Sequence, residues 1–195
     1  MDGPESGWAD VCWKSELQKL TRKPPSSEVM RTIIDVMRGR ADDRSAALTS
    51  AALADTGLMA GITNVLRPTL DEVNELFWNQ NAKYGTFYKR IFKAAELGLI
   101  GLDTESNLEV IRNVRNVFAH SMIDLTFATP EISAACDRLT ISNDAQFFID
   151  QENERKTRYR YCYACDAVFR GLLAYASAQW LTFGPAQKPS QPILP

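Results

Sequence analysis

Apolar residues recur along this chain at helical period, and no stretch keeps the alternating rhythm of a half-buried strand. "WADVCWKSELQKL" (Trp8–Leu20) predicts a short N-terminal helix, ended by "TRKPPSS". Ser26 or Ser27 caps "EVMRTIIDVMRGR", where Val29, Ile33, Val36 and Met37 fall on one face. Asp42 or Asp43 opens a long Ala/Leu-rich helix that Pro68 stops, and its small residues suit a central, closely packed position. "TLDE" (Thr69–Glu72) has the Thr-x-x-Glu form of a capping box ahead of "VNELFW". "NQNAKYG" reads as a loop, and Thr86 opens "FYKRIFKAAELGLI", which Gly98 or Gly101 ends. "SNLE" (Ser106–Glu109) is a second capping-box match and predicts the start of the next helix. Thr129 before Pro130 starts another over "ISAACDRL". From Ser142 to Leu181 the pattern predicts one long helix or two joined ones.

These elements predict an all-α, single-domain bundle of about seven or eight helices. Residues 1–25 form an arm with a short helix, residues 26–183 the domain, and residues 184–195 a Pro-rich, disordered tail.

Charge narrows the choice of partners. Lys and Arg number 22 against 24 Asp and Glu, so the chain lacks the basic surplus that a duplex-DNA binder uses to displace counterions. No helix-turn-helix candidate carries a recognition helix rich in Arg, Lys, Asn and Gln, so direct reading of DNA sequence is not expected. No apolar run is long enough to span a bilayer, and the acidic start lacks the features of a signal peptide. Four irregularly spaced cysteines (Cys12, Cys136, Cys162, Cys165) favour a reducing compartment over a disulfide framework. The expected location is the cytoplasm, with no membrane association.

The most pointed local pattern is "RNVRNVFAHS" (Arg112–Ser121), which holds the only histidine of the chain. On a helix, Ile111, Val114, Val117 and Phe118 cluster on a side that would face the core. Arg112, Asn116 and His120 form a stripe at i, i+4, i+8 on the other side. Asn113 borders that stripe, and Arg115 lies at its far edge. Such a surface can bind an anion or RNA: imidazole can take a proton from a ribose 2′-hydroxyl, and guanidinium can stabilise charge on a phosphorane. It can equally be a helix–helix or dimer seam pinned by hydrogen bonds, with His120 a polar helix-end residue.

"RNVFAH" (Arg115–His120) resembles the Arg-x4–6-His motif of HEPN domains, all-α modules found in metal-independent ribonucleases, RNA-binding proteins and non-catalytic relatives. A longer ordered set, from about Val29 to Leu139, resembles the mannitol operon repressor family of bacteria. It runs through "DDRSAAL", "YGTFYKRIFKAAELGLI", "LEVIRNVRNVFAHS" and "LTFATPEISAACDRL". The resemblance implies an α-helical, repressor-like transcriptional regulator that acts through protein association. The expected partners are a second copy of the chain, as a homodimer, and a regulatory protein. Under this reading Arg112, Asn113 and Asn116, with Arg115 and His120, form a polar binding surface, and no cofactor or metal is required. The competing reading is a HEPN-type metal-independent endoribonuclease or RNA-binding protein, with His120 as base or acid and Arg115 stabilising the transition state. A helical scaffold with no ligand there is a third.

Two further features bear on function. "ERKTRYRYCYAC" interleaves Arg155, Lys156, Arg158 and Arg160 with Tyr159, Tyr161 and Tyr163, as surfaces for single-stranded nucleic acid do. The alternative is a long helix with a tyrosine core face and solvated arginines. Cys162 and Cys165 make one C-x-x-C, but zinc would need two more ligands, so buried structural thiols are expected. The Gly57–Gly61 spacing in "GLMAG" predicts close helix packing.

Overall fold

The first described helix of the computed structural model is also its organising one: α1 (Asp43–Leu66) is buried over most of its surface, as its small residues predicted. The structure describes Gly39 and residues 41–150, 155–181 and 192–194, with side chains described up to Ser177 in the last helix. All of these belong to one unit of the chain, Ile33–Pro195. The two helices expected before residue 39, the N-terminal arm and Cys12 lie outside the described residues.

Seven helices and no strand are present among the described residues. After α1 come α2 (Leu70–Val73), α3 (Phe87–Glu96), α4 (Leu102–His120), α5 (Pro130–Cys136), α6 (Asn143–Asp150) and α7 (Lys156–Leu181). The end of the chain therefore holds two helices where one or two were expected.

Local chemistry explains most boundaries. Asp42 caps α1, its carboxylate accepting from the Ser45 N–H at 2.8 Å, and these Ser45 bonds hold the carboxyl below the ordinary range. Arg67 ends α1 in the left-handed conformation at φ 49°, and Pro68 follows. Thr69 and Glu72 form the reciprocal capping box the sequence predicted. Beyond it, "NELFW" winds as a π-helical turn, Asn74–Trp78, rather than continuing as α-helix. Thr86 caps α3 through the Lys89 N–H, and Pro130 occupies the first turn of α5.

One boundary differs. The helix expected to open at Ser106 begins a full turn earlier, at Leu102, with Gly101 at the cap. Ser106 is exposed in the body of α4, where Ser-x-x-Glu is only a solvated surface pattern.

The core forms where α1 and α7 pair and α3 and α4 close over α1. Gly57 sets the spacing: a Cβ there would stand 2.9 Å from the Phe169 Cα of α7. Backbone thus meets backbone, and the close packing predicted from Gly57–Gly61 is present. Phe118 of α4, Phe127 of the following loop and Tyr161 of α7 stack in series, with ring centroids 5.1 and 5.3 Å apart. The buried Tyr161 hydroxyl donates toward the Ala47 and Ile111 carbonyls at 3.2 and 3.3 Å. Asp43 fixes the loop, accepting from the Phe127 N–H at 2.8 Å and from Arg158 at 3.0 Å.

Cys136, Cys162 and Cys165 are free thiols, all within this core. Burial pushes Cys136 up to about 12 and raises Cys162 and Cys165 as well. Thiolate is the reactive form, so native protein carrying Cys12→Ser should show no reaction with a thiol-disulfide reagent at pH 8. It should release three equivalents on denaturation. Rapid native labelling would contradict the burial of these thiols.

Candidate functional site

The face that α4 turns to solvent is set by its own periodicity. Leu108, Ile111, Val114 and Phe118 are buried. Ser106, Asn113 and His120 are exposed, Val117 is 47% exposed and Val110 half-buried. Positions 106, 110, 113, 117 and 120 step by 4-3-4-3, the spacing of a helix–helix seam. Val117 was expected in the core. At ~100° per residue it lies on the rim of the apolar stripe, and Phe118 alone takes the inward position there.

The adjacent helix extends this face. Tyr88 and Phe92, one turn apart on α3, are 57% and 62% exposed. Arg112 lies with its guanidinium carbon 5.5 Å from the Tyr88 ring centroid and pairs with Glu109 at 2.7 Å. Of the stripe expected from the sequence, His120 is exposed while Arg112 and Asn116 are half-buried, and the exposed line of α4 carries more apolar residues than that stripe. Tyr88, Phe92, Val110 and Val117 were not singled out as site residues, although the 4-3-4-3 spacing around Asn113 was readable.

Charge along α4 is segregated. Asp103, Glu105 and Glu109 fall in its first half, and Arg112, Arg115 and His120 in its second. Arg44 of α1 adds a cation beyond the helix end, its guanidinium donating to the Ser121 carbonyl at 3.0 Å. Sequence reasoning did not single out Arg44, because its acceptor lies 77 residues away.

Arg115 and His120 are both exposed, but five residues separate them, which is about 140° round the helix axis. Arg115 donates to the Asn116 side-chain oxygen at 3.0 Å. It is also near enough to help offset burial at Asp55, whose carboxyl is raised by desolvation against the pull of Arg90 and then Arg115. His120 thus belongs to the seam, and Arg115 lies off it.

The second candidate region does not form one basic surface. Arg158 is 6% exposed and paired with Asp43. Arg160 is half-buried, donating to the Leu139 carbonyl at 3.2 Å and to Gln146 at 2.6 Å. Tyr161 is core, and Tyr159 is half-buried. Only Arg155 and Lys156 remain exposed, and Lys156 pairs with Asp150 at 2.6 Å. The predicted nucleic-acid patch is corrected to two surface cations beside a cleft of about 400 Å³ at the start of α7. Acceptors brought by other segments, at Asp43, Leu139 and Gln146, consume the remaining guanidinium groups.

Among the described residues no three His, Cys, Asp or Glu side chains group to hold a metal. No described helix is long and apolar enough to cross a membrane. No protein-family model, curated protein or solved structure matches the chain.

Proposed function

We propose that this is a repressor-like regulatory protein that works by protein association and self-associates through the exposed face of α4. The observation that carries this reading is the seam of Ser106, Val110, Asn113, Val117 and His120, flanked by exposed Tyr88 and Phe92. An aromatic and aliphatic face interrupted by amides suits an interface better than open solvent. Its charge segregation favours an antiparallel two-fold arrangement, which sets the acidic half of one α4 against the basic half of the other. The axis then passes near Asn113, midway along the seam, where two amides can bond to each other. A regulatory partner protein would engage the assembled dimer, and no DNA-reading element or cofactor enters the account.

Sedimentation velocity tests this. The wild-type chain should run as a dimer at micromolar concentration. Asn113→Arg should weaken the dimer roughly 100-fold or more, because the two-fold axis sets the two introduced guanidinium groups against each other, with helix content unchanged. A wild-type monomer, or a variant dimer of undiminished affinity, would sink the reading.

The ribonuclease reading keeps one point in its favour, the exposure of both Arg115 and His120. Their angular separation disfavours joint action on one phosphate within a single chain. Incubation with mixed single-stranded RNA in EDTA should therefore leave the RNA intact. Cleavage that disappears in a folded His120→Ala variant would replace the association reading with catalysis.

A further inference from the structure

The end of the chain was expected to be disordered, yet Pro192, Ile193 and Leu194 return to the bundle. Two backbone hydrogen bonds hold Leu194 to the connection between α3 and α4. The Gly101 N–H donates to the Leu194 carbonyl at 2.6 Å, and the Leu194 N–H donates to the Leu99 carbonyl at 3.3 Å. Leu194 thereby forms an isolated parallel bridge with Ile100. Ile193 and Leu194 also pack, partly buried, against the main core.

The other wall of this site is Gly171 of α7. A Cβ there would stand 2.5 Å from the Leu194 Cδ2 and 3.3 Å from its Cγ. Glycine inside a helix is destabilising relative to alanine, and here its missing side chain makes the notch that the leucine fills. One turn along the same face, the Tyr175 hydroxyl is buried without a hydrogen-bond partner among the described residues. The site thus offers a backbone edge outside any helix, a leucine-sized notch and a spare polar group nearby. These are the parts of a groove that binds extended peptides: main-chain bonds supply affinity, and a side-chain pocket supplies specificity.

We infer that the groove between Leu99–Gly101 and Gly171 is a binding site for an extended apolar peptide with leucine at its anchor position, and that the chain's own Ile193–Leu194 occupies it. The tail is then a latch in cis. A partner bearing an Ile-Leu segment gains the groove by displacing it. Because Gly101 also caps α4, the groove adjoins the start of the helix that carries the seam. The inference rests on the tail contacts alone and is independent of self-association.

Amide hydrogen exchange on the full chain tests it. Leu194→Asp should speed exchange of the Gly101 amide at least roughly ten-fold, because a carboxylate cannot enter the notch, while amides in α1 and α4 keep their rates. Adding a synthetic peptide of residues Ser190–Pro195 in trans should restore protection at Gly101, and the same peptide with Asp at the leucine position should not. Gly171→Leu, a change that favours the helix, should release the tail and leave no peptide able to restore protection. Unchanged Gly101 exchange in Leu194→Asp would overturn the latch. Failure of the wild-type peptide to restore protection would overturn the peptide site.

Discussion

Phe118→Ala should cost the bundle about 3–5 kcal/mol, the range for removing a fully buried aromatic side chain. Phe118 is 0% exposed and touches both halves of the core, because its ring packs on Phe127, which in turn packs on Tyr161. The cavity cannot close by a shift of α4 alone. That helix is also held at Ile111, whose carbonyl lies beside the Tyr161 hydroxyl, and at its end by Arg44. For a domain of this size the loss corresponds to a fall in melting temperature of roughly 10 °C. Thermal unfolding followed by circular dichroism reads it, and a fall of only a degree or two would mean that Phe118 is not the keystone described.

Asp55→Ala should be comparably damaging, at about 3–5 kcal/mol, for an electrostatic reason. Arg90 is 8% exposed and held by Asp55 through two bonds, at 2.6 and 2.7 Å, with a third to the Tyr84 carbonyl at 3.1 Å. Removing the carboxylate leaves a desolvated guanidinium with one neutral acceptor. The double variant Asp55→Ala with Arg90→Met should recover most of the loss, since no uncompensated charge then remains. Urea unfolding of the two single variants and the double variant measures the coupling. Strict additivity would show that the pair is not the unit proposed.

Features that depend on neighbours in sequence were legible without a structure. Asp42, Thr69 with Glu72, Thr86, and Thr129 with Pro130 place helix starts through atoms only a few residues apart. Ser106–Glu109 failed because the same pattern occurs on exposed helix surface, while the true cap, Gly101, carries no side chain to announce it. Arg158 and Arg160 looked like one basic surface because their acceptors, Asp43 and the Leu139 carbonyl, lie 115 and 21 residues away. The Asp55–Arg90 pair and the return of Leu194 to Gly101 were hidden for the same reason. The polar stripe at Arg112, Asn116 and His120 was visible from helical geometry. Its apolar setting was not, because Tyr88 and Phe92 arrive from another helix, and Val117 stands on an edge that periodicity alone assigned to the core.

The central claim, self-association through α4, is tested most directly by cross-linking at its axis. With Cys12→Ser and the other thiols buried, Asn113→Cys would carry the one reactive sulfur. A two-fold axis at residue 113 brings that sulfur against its copy, within the roughly 4.4–6.8 Å Cα separation that a disulfide needs. Ser106→Cys in the same background lies two turns from the axis, opposite His120 of the partner subunit. Mild oxidation should therefore give covalent dimer with Asn113→Cys and little with Ser106→Cys. Monomer throughout with Asn113→Cys, or equal cross-linking at both positions, would contradict the account.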